Sequence, residues 1–412
     1  MTTINPNPPS PNKKSIFGKP ISFVGITGPL ILLTLVDFIA RSAYMTGKTP
    51  VLPLFAASLG AGELLLGFIS SISTFTGMVL KPLVGLLSDR QGRRWWLFVG
   101  TFFFILMPFV YQFIESPEQL IVLRLIHGFA TAIYGPVTVA MVVEMSPENR
   151  AGRVGFFSLG RTGGYIVGPA LGGFLLLKMD AVSVYTIIGL MSSLTLIPLF
   201  YLPETAVSSQ TQKKRPSLSQ QLKKSFSHSA TTPAIWIASG FEAINYMVTY
   251  SAKAFLPIYA LAVGRNTLEA GLFFTVQQAV TMAAKPLFGW IGDKWSHVYT
   301  ILLAIFGMAG ALFLLTFSAN VIFFYVAAVI LGLTEALIIP STTALVAKQI
   351  DQAHIGTGLG IIGTLQNGSK IAGPILAGFL IALTSYEQTF QLMAIFILLA
   401  GMLIFARRSV LT

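Results

Sequence analysis

The sequence predicts an all-α polytopic membrane protein in which twelve spanning helices form two pseudo-symmetric halves of six. Three observations lead there. Charged residues make up 10% of the 412 and hydrophobic residues 54%, whereas an average soluble domain is about one-quarter charged; mean hydropathy is +0.75. Apolar runs long enough to cross a hydrocarbon core about 30 Å thick, which takes roughly 20 helical residues, recur twelve times. The second six runs also repeat the first six at a nearly fixed offset. A β-barrel would show alternating segments of about ten residues, and these runs are continuous and twice as long.

In chain order, a polar, Pro/Asn-rich tail (1–21) lacks the apolar core and small-residue cleavage site of a cleaved signal peptide. The first span, 22–46, therefore acts as the insertion signal. Spans two and three, 64–87 and 94–114, flank the charge cluster "GLLSDRQGRRWW" at 85–96. Spans four to six cover 119–145, 153–177 and 182–202. The long polar stretch at 204–233 then reads as a linker, giving halves at 22–203 and 234–406. Spans seven to twelve follow at 234–261, 269–291, 298–318, 321–347, 355–383 and 387–406, before a short tail at 407–412.

Net charge is +12, and most of the 27 Lys and Arg fall on one side when alternate loops are assigned alternately. The clusters Lys13–Lys14, Arg90–Arg94, Arg150–Arg153, Lys213–Lys224 and Arg407–Arg408 share that side; the opposite side receives Lys48, Lys178 and Arg265. Positive residues concentrate in cytoplasmic loops, so both termini are expected in the cytoplasm of a chain in the inner membrane. Cysteine is absent, which excludes disulfides, thiol catalysis and cysteine-ligated metal.

Sliding one half over the other reveals the repeat at an offset of 204 to 205 residues. "KPLVGLLSD" (Lys81–Asp89) recurs as "KPLFGWIGD" (Lys285–Asp293), "VLPLFAASLG" (51–60) as "FLPIYALAVG" (255–264), and "GPALGG" (168–173) as "GPILAG" (373–378). Gly155 meets Gly360, Asp37 meets Glu242, and Arg161 meets Gln366. Each half has an even number of spans, so the repeats run parallel, related by an axis along the membrane normal.

Two motifs carry a family resemblance. The loop between spans two and three holds Gly85, Asp89, Arg90, Gly92, Arg93 and Arg94, with a degraded second copy retaining Asp293. Asp89 sits at the negative end of its own helix dipole and needs compensation from a cation or another helix N-terminus, while Gly92 permits a tight turn. Span five carries Gly155, Gly164, Gly168, Pro169, Gly172 and Gly173; glycines at helical spacing open a groove for close helix approach, and Pro169 bends the helix. With twelve spans in a six-plus-six repeat, the chain resembles the major facilitator superfamily of secondary transporters, over almost its whole length. The resemblance implies that the first motif latches the cytoplasmic ends of the two halves when the cavity opens outward. The span-five glycines resemble an antiporter or efflux signature.

Ionisable residues inside spans cost at least about 2.5–3.5 kcal/mol on insertion scales and mark functional sites by default. Asp37 and Arg41 lie four apart and share a helix face. Arg124 opens "RLIHGFATAIYGP", an arginine the resemblance associates with proton coupling. Glu242 and Glu335 in spans seven and ten, with Asp37, are the candidate protonatable carboxylates; Arg41 and Arg124 are the switchable partners. Tyr44, Tyr134, Arg161, Asn245, Tyr246, Gln277, Gln366, Asn367 and Lys370 sketch a substrate cavity, with Arg161 and Gln366 at equivalent places near the midplane.

Other signals fall away. "GKT" at Gly47–Thr49 lacks the preceding glycine of a phosphate-binding loop, no metal-ligand spacing is present, and no cofactor is expected. The basic stretch Lys213–Lys224 has too little aromatic character for nucleic-acid binding and reads as a lipid-facing tether. The resulting expectation is a monomeric, non-enzymatic carrier working by alternating access, exporting a small organic molecule against protons. The alternatives are uptake or exchange of a small organic anion and, in a different class, a non-transporting membrane sensor.

Overall fold

The computed structural model of the protein describes residues 26–145, 149–204, 233–294, 297–349 and 355–406. Twelve helical segments account for almost all of them. They are α1 (Gly28–Ser58), α2 (Glu63–Gln91), α3 (Arg93–Phe113), α4 (Pro117–Glu144) and α6 (Ala181–Tyr201), with α5 at Arg150–Leu176. The second half comprises α7 (Pro233–Ala262), α8 (Thr267–Lys294), α9 (His297–Leu315), α10 (Val321–Gln349), α11 (Ile355–Leu383) and α12 (Tyr386–Ala406). The expected linker lies outside the described residues except at its ends, as do the expected tails.

Local chemistry sets the boundaries. At the start of α4, Ser116 caps the helix by accepting from the Gln119 N–H, and Pro117 fills the first position, where no N–H is needed. Asp180 accepts from the Val182 and Ser183 N–H groups, at 3.0 and 3.1 Å, and opens α6; these bonds, and one from the Ser183 hydroxyl, hold its carboxyl below the usual range. Between α2 and α3 the backbone reverses at Gly92, whose φ of +101° lies in the left-handed region that favours glycine.

The first span departs from expectation. It continues past residue 46 through a kinked π-helical turn, Gly47–Val51, where Thr49 leaves helical geometry and Pro50 removes a backbone donor, and resumes to Ser58. This is the known cause of such kinks. Lys48, assigned by the charge count to a loop, consequently lies inside the helical body.

The packing repeats with the sequence. In the first half α1 packs on α5, α2 on α4, and α3 on α4 and α6; in the second, α7 packs on α11, α8 on α10, and α9 on α10 and α12. The halves meet along two equivalent seams, α2 with α11 and α5 with α8. Outward faces are apolar, including Phe102, Leu190, Ile322, Leu383 and Phe396, as a lipid-facing surface requires because polar side chains without partners are costly in hydrocarbon. Six helices among the described residues satisfy length and apolarity for crossing a bilayer by themselves. The α5 helix is not among them, and both of its faces are used for helix contacts, where glycine replaces aliphatic side chains.

Among the described residues, cross-half hydrogen bonds cluster toward one end. Ser71 donates to the Ile371 carbonyl at 2.9 Å, Thr267 to Gly173 at 2.9 Å and Thr275 to Ile166 at 2.7 Å. All three lie in the half of each helix remote from Asp89. The kinked end of α1 also packs against α7 and α8 at that end.

Candidate functional site

Two buried constellations occupy equivalent places in the two halves. In the first, Arg161 of α5 grips Asp37 of α1 from two sides, Nε to Oδ2 at 3.0 Å and Nη2 to Oδ1 at 2.9 Å, while Nη2 also donates to Thr138 Oγ1 at 2.7 Å. Arg41 approaches the same carboxylate at 3.5 Å. Asp37 is completely buried, so this bidentate pair is the strong, desolvated kind. In the second, Glu242 of α7 accepts from Gln366 of α11 and from Thr342 Oγ1 of α10, the latter at 2.6 Å. Asp37, Thr138 and Arg161 thus recur as Glu242, Thr342 and Gln366. The geometry is duplicated and the charge is not: the first acid bonds to two guanidinium groups, the second to neutral donors, with Lys370 acting on it only from beyond ion-pair distance.

Glu335 of α10 is likewise buried and accepts from Gln278 Nε2 at 3.1 Å. Among the described residues neither Glu242 nor Glu335 forms an ion pair. Arg124 does not reach Asp37. It donates to Tyr111 Oη at 3.4 Å and to Ser73 Oγ at 2.7 Å, beneath His127, whose ring packs edge-on to Tyr44 and Phe104.

Between the halves lies a cavity of about 230 Å³. Of the predicted cavity residues, Tyr44, Arg161, Asn367 and Lys370 line it. Tyr246 lies beside it, its ring 4.0 Å beneath Lys370 Nζ. Tyr134 does not line it, being buried and bonded to Thr101 at 2.5 Å; Asn245 and Gln277 are buried outside the lining, and Gln366 is held by Glu242. Sequence reasoning missed the lining residues Lys48, Lys81, Lys253 and Tyr165, and placed Arg41 with the coupling residues only. Lys81 and Lys253 could have been found, since both are ionisable groups inside predicted spans.

The charge cluster is organised within the first half. Arg93 pairs with Asp89 and with Glu144, the latter at 2.7 Å. Glu204 accepts from the Arg93 and Arg94 N–H groups at 2.8 and 3.1 Å, capping α3 at the positive end of its dipole. Arg94 donates to the Phe200 carbonyl at 2.6 Å, at the negative end of α6. Arg90 is exposed, and a Cβ at Gly85 would meet nothing within 4 Å. No residue from 85 to 94 pairs with a described residue of the second half, and the side chain of Asp293 lies outside the described residues. Glu204 had no place in the sequence reading, because a linker-edge carboxylate gives no sign of which helix it caps.

The span-five glycines lie at helix contacts. A Cβ at Gly164 would come within 2.8 Å of Arg41 Cβ, at Gly168 within 2.9 Å of the Ser42 carbonyl oxygen, and at Gly173 within 2.9 Å of Leu268 Cα across the α5–α8 seam. Gly172 faces the Thr46 carbonyl. Gly155 faces open space.

The sequence profile of the Major Facilitator Superfamily matches residues 30–264 and 241–411. The chain belongs to this superfamily. A superfamily-type transporter of uncharacterised function from Methanocaldococcus jannaschii, MJ1560, is 23% identical over 361 residues, covering 87% of this chain and 92% of that protein. The quinolone resistance protein NorA of Staphylococcus aureus is 26% identical over 219 residues, 50% of this chain and 55% of NorA. The crystal structure of the nucleoside transporter NupG superposes with a TM-score of 0.79 over 92% of this chain and 99% of that one, at 13% identity, a likeness of fold. As a member of this superfamily the chain is a membrane transporter of small molecules, not an enzyme.

Proposed function

We propose that the protein exports a small organic molecule from the cytoplasm in exchange for protons, by alternating access of the cavity between its halves. The observation that carries the proposal is the charge asymmetry of the duplicated constellations. Burying a carboxylate without a cationic partner is costly, and taking up a proton removes the cost. Glu242 and Glu335 form no ion pair among the described residues, and Lys370 and Lys253 act on them only from beyond ion-pair distance. Asp37 is different: clamped by Arg161 and Arg41, it serves as a fixed tie between α1 and α5 in this reading, with Arg124 structuring α2 and α4. The Gly164–Gly173 face of α5, packed on α1 and α8, supports the efflux direction through its resemblance to the antiporter pattern. The similarity to NorA, a quinolone resistance protein, supports the same direction.

In this reading both termini lie in the cytoplasm of the inner membrane, and the protein works as a monomer embedded in lipid. Its Asp89–Arg94 end is cytoplasmic, so the conformation described is open inward, and the cluster holds its first-half partners until closure offers it the second half. The test is pH-gradient collapse in everted, energised vesicles on adding lipophilic cations, organic anions, sugars and amino acids in turn. Collapse by one class in wild type, lost in Glu242→Gln and kept in Glu118→Gln, an exposed position in the first turn of α4, is the expected result. Collapse surviving in Glu242→Gln and Glu335→Gln, or absent for every class, would overturn it.

A further inference from the structure

The cavity lining contains Arg41, Lys48, Lys81, Arg161, Lys253 and Lys370 and, among the described residues, no carboxylate. Arg41 and Arg161 are answered by Asp37. The four lysines form no ion pair among the described residues; Glu242 acts on Lys370 and Glu335 on Lys253 only from beyond ion-pair distance. Three of them, Lys48, Lys253 and Lys370, have aromatic faces as neighbours. Lys48, Lys253 and Lys370 converge on the ring of Tyr250, with Nζ at 5.1, 5.3 and 5.8 Å from its centroid. Ring quadrupoles attract cations, but weakly beside a full counter-charge. Two of the lysines, Lys48 and Lys81, belong to the first half, and Lys253 and Lys370 to the second.

Four like charges gathered between two bodies in a low-dielectric setting repel one another, and bringing the bodies together over them requires a compensating charge. We propose that the substrate is a small organic anion bearing at least two negative charges, a polycarboxylate or phosphate ester, held by lysines from both halves at once. Tyr250 stands where three of the four lysines meet, offering its hydroxyl as a further donor. The cavity of about 230 Å³ has room for a compact anion held between the two halves. A lipophilic cation would add charge to a site that already has a surplus. The inference rests on this cavity being the translocation site of the exporter proposed above.

The experiment uses the purified full chain in phosphatidylcholine nanodiscs. Binding of citrate and of glycerol 3-phosphate is measured calorimetrically against tetraphenylphosphonium and glucose, in wild type and in Lys253→Gln and Lys370→Gln. The expected result is saturable binding of at least one of the two anions and of neither comparator, weakened about tenfold or more by either lysine substitution, since removing one partner of a buried charge pair is costly. Which of the two binds separates carboxylate from phosphate recognition. Lysine variants that are stably folded yet bind the anion as wild type does would overturn the assignment, as would tetraphenylphosphonium binding in place of both anions. Should added phosphatidylglycerol stabilise the protein while neither soluble anion binds, the lysines would serve a lipid headgroup and the proposal would fail.

The two readings fail separately. Anion binding that needs the lysines, with no pH-gradient collapse in vesicles, would keep the anion and remove the proton. Collapse driven by tetraphenylphosphonium alone would keep the proton and remove the anion.

Discussion

Replacing Arg161 with Gln places in the first half the partner that Glu242 already has in the second. Asp37 would then lose both short guanidinium bonds, 2.9 and 3.0 Å, and Thr138 its 2.7 Å donor, leaving only Arg41 at 3.5 Å. Breaking a buried pair by removing one partner costs about 3–5 kcal/mol. Arg41 keeps part of the compensation, so a loss near the lower end, about 3 kcal/mol, is expected for Arg161→Gln. Adding Asp37→Asn removes the stranded charge, and Arg41, at the cavity wall over Tyr165, is left where water reaches it. The double variant should therefore recover at least about 2 kcal/mol, a coupling within the range of contacting residues. Thermal or denaturant unfolding in detergent, followed by tryptophan fluorescence, measures both. Stability of Arg161→Gln equal to wild type, or a double variant no better than the single, would refute the reasoning.

Four further outcomes follow from the geometry. Gly92→Ala should lower stability by about 1–2 kcal/mol, because alanine is strained at this left-handed φ and its Cβ would sit 2.9 Å from Glu204 Oε2; a melt unchanged from wild type would contradict it. Gly168→Leu should overpack the α1–α5 contact and cost about 1–3 kcal/mol or more, read as lost expression of folded protein, whereas Gly155→Leu, which meets open space, should fold normally. Asp180→Ala should cost about 1 kcal/mol in unfolding experiments. Because the folded carboxyl titrates below its unfolded value, the stabilisation from Asp180 is present above the unfolded value and fades as pH falls through the folded one; wild type and variant should converge in acid.

Much of the fold was legible because membrane insertion imposes a coarse, additive signal. All twelve helices coincide with apolar runs, and the 204-to-205-residue offset that pairs Asp37 with Glu242 in the sequence also pairs α1–α5 with α7–α11 in space. The exception is the end of α1. Gly47, Pro50 and Pro53 are ordinary loop signals, yet packing of this segment against α5, α7 and α8 keeps it helical, and so Lys48 was placed in a loop. The site was less legible. A helix apolar on most sides gives no clear moment to say which face a lone polar residue takes, so Tyr134, Asn245 and Gln277 could not be told from Asn367 by sequence. Lysines can also extend along apolar surface to reach water, so Lys81 and Lys253 were detectable as ionisable groups inside spans while the cavity they face was not. The offset marks Asp37 with Glu242 and Arg161 with Gln366 as equivalent positions, but only the structure shows that each acid bonds to its neighbour within the half.

The central claim is alternating access, and a chain without cysteine allows it to be tested with engineered labels alone. Trp95→Cys/Tyr299→Cys marks equivalent exposed sites near the Asp89 end, and Phe113→Cys/Phe317→Cys marks equivalent exposed sites at the other. Double electron–electron resonance on spin-labelled pairs, with and without acidification and added anion, should show the first distance shortening as the second lengthens. Distances that stay fixed under every condition, or that move together in one direction, would contradict the account.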